Sequence, residues 1–178
     1  LGMDGAEAPD PPEKFVDAYR LAKQGGLRLT AHACEDAPAR NITSCLEVLG
    51  CERIDHGYHI IEDDAVVTRC RDEGILFTVC PTATAVCYFD AEDFSSHPIR
   101  EMVAKGLRVM INSDDPTMFH TDIGKEYVDF CGQNHYGPDV VRGLVLNGVE
   151  AAWLDPTDKA AMRKSFDAEL DALDARLE

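Results

Sequence analysis

Three short apolar runs in the chain end in side chains that can bind a metal ion or move protons. One run ends in His32 with Glu35 three residues further on, another ends in His56, and the last ends in Asp114 and Asp115. Histidine and aspartate bind divalent cations such as zinc, and a catalytic zinc lowers the pKa of its bound water to about 7. We therefore expect a metal-assisted hydrolase in which Glu35 transfers protons and Asp115 binds polar groups of the substrate.

The same residues also have simpler structural interpretations. A single histidine at a strand end is more often structural than metal-binding, and Asp114-Asp115-Pro116 alone could form a turn or a helix cap. Joint occurrence at three separate strand ends favours a functional site. The chemistry alone leaves His56 either as a metal ligand or as a group that acts on the water.

Apolar runs and segments of helical periodicity alternate along the chain. Strands are predicted over residues 1–5, 27–33, 53–56, 75–79 and 107–111. Helices are predicted over residues 13–23, 41–50, 63–73, 95–105, 121–131, 138–153 and 156–177. Residues 82–94 lack clear periodicity, so we expect a long loop there.

Strands that alternate with helices of about ten residues predict βα units and a parallel sheet. Apolar runs bounded by glycine and proline fit strands that are buried on both faces. A parallel sheet is either doubly wound or closed into an eight-stranded barrel, and in the barrel catalytic residues come from the C-terminal ends of several strands. The pattern therefore favours a TIM-type (β/α)8 barrel of the metal-dependent hydrolase kind, with residues 1–178 forming one partial domain.

The five predicted strands are fewer than the eight that a barrel requires. The chain begins at Leu1 without an initiator methionine, and we expect it to be the C-terminal portion of a longer barrel, its last five strands and following helices. Five strands would leave two unpaired sheet edges, which favour association. We therefore expect that the chain alone is not an autonomous monomer and that a homo-oligomer is possible.

Composition limits the partners of the protein. The 33 acidic and 17 basic residues give a formal net charge of −16, which argues against binding to nucleic acid or to anionic membranes. No run of about 18 apolar residues predicts a membrane span. The seven cysteines include no Cys-x-x-Cys pair and lie mostly in apolar runs, which favours reduced, buried thiols and a cytoplasmic location.

Four motifs, in this order and at these separations, resemble the adenosine deaminase family of zinc hydrolases, which are eight-stranded barrels of the amidohydrolase group. They are Thr30-Ala31-His32-Ala33-Cys34-Glu35, Asp55-His56-Gly57-Tyr58-His59, Cys80-Pro81 and Asn112-Ser113-Asp114-Asp115-Pro116. The resemblance runs over nearly the whole chain. It implies a small purine as the substrate and one zinc ion in each complete active site.

The resemblance also implies a role for each matching residue. His32 and Asp114 correspond to zinc ligands. Glu35 corresponds to the glutamate that protonates the purine nitrogen N1, and His56 to the histidine that orients the attacking hydroxide. Two further residues correspond to substrate contacts of the family, namely Gly5 through its backbone N–H and Asp115 through a hydrogen bond to the purine.

The chain departs from the family pattern in three places. The family's first two zinc ligands form a His-x-His pair on the first barrel strand, and this chain does not contain that pair. Cys34 stands where the family usually has glycine, which predicts an altered turn, a crowded purine or a thiol that competes for the metal. The segment Thr82-Ala83-Thr84 replaces a family Ser-Asn pair in the pocket wall.

The expected reaction is hydrolytic deamination of a 6-aminopurine, with adenosine as the first choice of substrate. Adenine is the alternative, because Val86-Cys87-Tyr88-Phe89 and the Asn112-Ser113-Asp114-Asp115 form resemble adenine deaminases. A modified nucleoside of the futalosine type also stays open. A hypothesis of another class is a non-catalytic purine-binding relic, which the absent His-x-His pair favours and the joint presence of Glu35, His56 and the two aspartates opposes.

Overall fold

A parallel β-sheet forms the centre of the structure. A computed structural model describes residues 1–89 and 93–177. Within them the sheet runs in the order β1 (Thr30–Ala33), β2 (Arg53–His56), β3 (Leu76–Val79) and β4 (Arg108–Ile111), and all neighbouring strands pair in parallel. The C-terminal ends of the strands therefore meet at one edge of the sheet. This arrangement confirms the predicted partial (β/α) barrel.

Helical segments connect the strands and cover one face of the sheet. The α-helices are α1 (Val16–Gln24), α2 (Arg40–Ser44), α3 (Asp64–Asp72), α4 (Pro81–Thr84), α5 (Pro98–Ala104), α6 (Pro116–Phe119), α7 (Ile123–Gln133), α8 (Pro138–Ala151) and α9 (Pro156–Asp174). Shorter 3-10 turns span Pro12–Phe15, Tyr58–Glu62 and Phe94–Ser96, and π-helical turns span Cys45–Leu49 and Ala85–Phe89. In the part of the chain that the structure describes, every helix is too short or too polar to cross a lipid bilayer.

The core lies between the helices and one face of the sheet. The first three strands alternate between buried and partly exposed residues, and Ala31, Ile54 and Phe77 are fully buried on the helix side. The other face carries polar side chains, among them His32 and Asp55. The prediction of strands buried on both faces is therefore wrong for β1 to β3. The second face carries polar side chains, and one of them, His32, belongs to the candidate site.

The segment predicted as a first strand over residues 1–5 is not a strand. It runs beside β1, where the amide of Thr30 donates to the carbonyl of Leu1 at 3.0 Å and the amide of His32 donates to Met3 at 2.9 Å. Gly5 then adopts a left-handed backbone, with φ of 87°, and turns the chain away from the sheet. The expected strand count of five thus becomes four in the described residues.

The prediction of a loop over residues 82–94 is also wrong in part. Pro81 begins α4, consistent with the preference of proline for the first turn of a helix, and a π-helical turn continues to Phe89. A buried carboxylate on α7 supports this start, because Glu126 accepts the amide of Thr82 at 3.0 Å. That partner is distant in sequence, so local periodicity gave no sign of it. Residues 90–92 of the predicted loop lie outside the described residues.

Two predicted helix starts shift for identifiable reasons. The helix expected from residue 95 begins at Pro98, and the ring of His97 caps it by accepting the amide of Ile99 at 3.2 Å. The helix predicted over residues 41–50 begins at Arg40 instead. Asn41 lies inside it, and its side-chain amide donates to the carboxylate of Glu7.

Candidate active site

Three residues at the strand ends have left-handed backbones without being glycine. Cys34 follows β1 with φ of 65°, His56 ends β2 with φ of 69°, and Asp114 lies beyond β4 with φ of 54°. Such conformations cost about 1–3 kcal/mol each and occur mainly where surrounding contacts enforce them, often at functional sites. In each case the chain turns sharply just past the strand, at the same edge of the sheet.

His56 is held by contacts on two sides. It is only 3% exposed, and its ring lies edge-on to that of His32 with centroids 4.2 Å apart. Nδ1 of His56 forms a 3.2 Å hydrogen bond with the Tyr58 hydroxyl, which also accepts the amide of Cys80 at 2.9 Å. Tyr58 therefore connects the end of β2 to the end of β3 and fixes the orientation of the imidazole.

Glu35 lies between the two histidines. One carboxyl oxygen, Oε1, is 3.5 Å from Nδ1 of His56, and the other, Oε2, is 3.9 Å from Nδ1 of His32. Burial, followed by the nearby negative charge of Asp114, raises the pKa of Glu35 to about 8. The carboxyl is therefore mostly protonated at neutral pH and able to donate a proton.

The other ionisable groups of the site are shifted by the same causes. Burial, with a smaller contribution from His32, lowers the pKa of His56 to about 3, so this imidazole is neutral at physiological pH. Burial and then the adjacent carboxylate of Asp115 raise the pKa of Asp114 above its ordinary value. Opposite shifts in neighbouring acids and bases are typical of active sites.

The six residues predicted for the site all line one cleft of about 240 Å³. They are His32, Glu35, His56, Asp114, Asp115 and Gly5. The wall is completed by Ala6, Asp36, Ala83, Cys87 and Phe119. The strand ends thus bring together side chains that are up to 83 residues apart in the chain, from His32 to Asp115, and the backbone of Gly5 joins them.

Two groups of donor atoms in this cleft could hold a metal ion. One comprises His32, Glu35 and His56, the other comprises His56, Cys80 and Asp114, and the donor atoms of each group lie within 4.8 Å of one another. Nε2 of His56 is buried without a hydrogen-bond partner, which is costly unless another group binds there. Nitrogen and carboxylate donors suit zinc, so the residues present fit this metal. Cys80 lies within reach of the second group, but burial raises the pKa of its thiol well above the usual range, which makes it a poorer metal ligand than the histidines and carboxylates. The predicted ligands His32 and Asp114 fall in different groups.

Cys34 does not approach the cleft as expected. Its side chain is fully buried in the core beneath the turn, and burial, followed by the charge of Glu7, raises the pKa of its thiol well above the usual range. A neutral thiol in that position is a poor metal ligand. The prediction that Cys34 crowds the purine or competes for the metal is therefore wrong, because the left-handed backbone directs its side chain inward.

Sequence reasoning missed three contributors to the site, namely Glu7, Tyr58 and Cys80. Tyr58 and Cys80 lie inside motifs that carry the family resemblance, so their position in those motifs could have marked them. Glu7 gave no such signal, since it is one acidic residue in a loop of an acidic chain. Its hydrogen bonds reach residues 27, 28 and 34 positions away, which only the folded chain reveals.

The fold is a partial (β/α) barrel that carries histidine, glutamate and aspartate at its strand ends, the place where barrel proteins of this class carry their sites. The model of the adenosine deaminase family matches residues 1–169, and the chain belongs to this family. An adenine deaminase of Vibrio parahaemolyticus is 37% identical over 167 residues, which cover 92% of this chain and 48% of that protein. An adenine deaminase of Hahella chejuensis is 36% identical over 168 residues, covering 94% of this chain and 50% of that protein.

Solved structures agree with these relatives. The crystal structure of adenine deaminase from Arthrobacter aurescens matches with a TM-score of 0.90 and 34% identity, covering 96% of this chain and 52% of that one. An amidohydrolase from Burkholderia ambifaria, crystallised with bound zinc, matches with a TM-score of 0.92 and 34% identity, covering 99% of this chain and 49% of that one. The chain thus spans about half the length of the proteins it matches.

Proposed function

We propose that this protein takes part in zinc-dependent hydrolytic deamination of a 6-aminopurine, with adenine as the preferred substrate. The observation that carries the proposal is the convergence of all six predicted site residues on one cleft. In the reaction, water adds at C6 of the purine and ammonia leaves, so that adenine becomes hypoxanthine. Zinc, held by His32 and Asp114 together with donors that this chain does not supply, would activate the water by lowering its pKa.

The side chains of the cleft divide the remaining work between them. Protonated Glu35 donates its proton to the ring nitrogen N1, which makes C6 more electrophilic. Neutral His56, whose Nε2 is buried and unpartnered, forms a hydrogen bond with the attacking water and orients it. Asp115 and the backbone N–H of Gly5 bind polar atoms of the purine ring. Glu35, His56 and Asp115 lie at the ends of three different strands, β1, β2 and β4, as catalytic groups do in other barrel enzymes.

Adenine is favoured over adenosine by the relatives. The proteins of Vibrio, Hahella and Arthrobacter described above are all named adenine deaminase. In addition, Cys87 lines the cleft and lies in the segment that resembles adenine deaminases. These observations support the alternative substrate more than the first choice made from the sequence, which was adenosine.

The free cysteines support a reducing compartment for this chemistry. All seven are free, and six of them are buried, as expected for a protein of the cytoplasm. Homo-oligomerisation stays a prediction based on the sheet edges.

The test combines metal analysis with turnover, on this chain and on the complete gene product. We expect a zinc-to-protein ratio of about one in the active form, and a kcat/KM for adenine at least about tenfold above that for adenosine. Glu35→Gln should lower kcat by about 10²–10⁴-fold while zinc is retained. Asp114→Ala should release zinc, whereas the exposed controls Glu169→Gln and His135→Asn should change neither zinc content nor turnover.

Other outcomes would identify the alternatives. A higher kcat/KM for adenosine would restore the original substrate choice. A complete gene product that contains no zinc and deaminates neither purine, yet binds adenine, would support the purine-binding relic and overturn the proposed enzyme. Turnover in the longer product alone would show that residues outside this chain complete the metal site.

A further inference from the structure

Glu7 is a buried carboxylate outside the cleft with an unusual set of partners. It is 5% exposed. Oε2 accepts the backbone amide of Cys34 at 2.7 Å and the side-chain amide of Asn41 at 3.0 Å, while Oε1 accepts the backbone amide of Glu35 at 2.7 Å. The short distances are those of charge-assisted hydrogen bonds. The carboxylate thus binds two successive amides of the turn that follows β1.

The bound turn has a backbone that is unfavourable for its sequence. Cys34 has a left-handed φ of 65°, which a residue with a Cβ adopts at a cost that glycine avoids. Successive amides in such a conformation point to one side and form a cavity for an anion. Glu7 supplies that anion from within the chain. A third contact fixes the same turn, because the carbonyl of Cys34 accepts the amide of His59 at 3.0 Å.

The turn matters because it carries Glu35. The carboxyl group of Glu35 reaches the cleft, where it is 3.5 Å from His56. Glu7 is also only two residues from Gly5, which lines the cleft as well. One carboxylate therefore connects the loop bearing a predicted substrate contact to the turn bearing the predicted proton donor.

We propose that Glu7 is a positioning residue that binds the turn at Cys34 and thereby holds the carboxyl of Glu35 in reach of the substrate. This inference rests on the proposed function, in which Glu35 is the proton donor. It assigns to Glu7 a role that needs no contact with the purine or the metal. It also explains how a cysteine can occupy a left-handed position at which glycine would be the unstrained choice.

The first experiment compares Glu7→Gln with the parent sequence, both produced as the complete gene product. Glutamine keeps the size of the side chain, but its NH₂ group faces an amide that the carboxylate had accepted. We expect kcat for adenine to fall about 10–100-fold, with KM changed less than about threefold and zinc content unchanged. Glu13→Gln, which alters an exposed carboxylate that accepts the hydroxyl of Ser44, should leave kcat unchanged.

A second substitution distinguishes positioning from a general loss of structure. Cys34→Gly removes the cost of the left-handed backbone, so the turn depends less on Glu7. In the Glu7→Gln protein, we expect the added Cys34→Gly substitution to raise kcat by about threefold or more. In the parent, the same substitution should change kcat little. Equal effects of Cys34→Gly in both backgrounds would overturn the proposal.

Hydrogen exchange provides a measurement that does not depend on turnover. In the metal-free protein, Glu7→Gln should accelerate exchange of the amides of Cys34 and Glu35 by about tenfold or more, while amides in α8 stay unchanged. Unchanged exchange at these two amides, or a kcat within twofold of the parent, would overturn the role of Glu7. Lack of turnover in the complete gene product would instead overturn the proposed function, and the exchange result would still decide whether Glu7 fixes the turn.

Discussion

Glu35 and His56 lie side by side at the ends of two neighbouring strands, with Oε1 of the glutamate 3.5 Å from Nδ1 of the histidine. The same cause shifts their pKa values in opposite directions. Burial raises the pKa of the carboxyl to about 8 and lowers that of the imidazole to about 3. Both groups are therefore mostly uncharged near neutral pH, one as a proton donor and the other as a neutral hydrogen-bonding group.

The raised pKa of Glu35 predicts a pH-dependent stability. The carboxyl binds its proton more tightly in the folded state than in the unfolded chain, where the pKa is near 4.5. Its contribution is therefore fully present below about pH 4.5 and is lost as the pH rises through about 8. Between pH 5 and 8 we expect the metal-free protein to lose about 1–2 kcal/mol more of its unfolding free energy than Glu35→Gln, after allowance for partial solvent access.

Urea denaturation at several pH values, with a chelator present, measures this difference. The depressed pKa of His56 has the opposite effect, since its stabilisation is lost as the pH falls from about 6.5 towards 3. That contribution is common to both proteins and cancels when their curves are subtracted. Parallel curves for the two proteins would show that the pKa of Glu35 is not raised in the folded state.

Gly57 is required by its backbone and by a close contact. Its φ is 82°, and a Cβ there would lie 2.6 Å from Cδ1 of Phe77, a fully buried ring. Gly57→Ala should therefore lower the unfolding free energy by about 2–4 kcal/mol, measured by urea denaturation. Gly26→Ala isolates the backbone cost, because Gly26 has φ of 78° with no neighbour within 4 Å, and should lose only about 1–2 kcal/mol. Equal losses in the two variants would contradict the clash.

Trp153 anchors the end of α8 to the edge of the sheet opposite the cleft. The guanidinium of Arg53, at the start of β2, lies 4.2 Å from the centroid of the Trp153 ring, and that of Arg28 lies 5.7 Å from it. Trp153→Ala should lower the unfolding free energy by about 2 kcal/mol through lost cation–π contact and packing. Leu154→Ala removes a neighbouring side chain of similar exposure and should cost less than about 1 kcal/mol. Thermal unfolding of both variants measures the two losses of stability. A similar loss in each variant would refute the anchoring role of Trp153.

The Tyr58 hydroxyl supports His56 and the amide of Cys80 at the same time. Tyr58→Phe leaves that amide buried without this acceptor, so we expect a loss of about 1–3 kcal/mol in unfolding free energy. The matched control is Tyr136→Phe, because no hydrogen bond joins the Tyr136 hydroxyl to a described residue while its ring packs on Phe130. Calorimetry of the two variants should show a clearly lower Tm for Tyr58→Phe alone. Equal Tm values would mean that the bridge contributes nothing.

The sequence by itself determined the repeating strand–helix order and the chemistry at the strand ends. His32, His56 and Asp114 each follow an apolar run, and the parallel arrangement of those runs is sufficient to place them at one edge. Periodicity also located most helices, with shifts of a few residues at their ends. These features are local, because a strand or a helix is encoded by spacing within a short window.

Only the tertiary structure decided how the site is held. The hydrogen bonds of Glu7 to the turn at Cys34, the bridge from Tyr58 to Cys80 and the support of Thr82 by Glu126 join residues 22 to 44 positions apart. The inward direction of the Cys34 thiol and the pKa shifts of Glu35 and His56 depend on the same packing. No local pattern encodes such partners, because burial and hydrogen-bond geometry arise only when distant segments are brought together by the sheet.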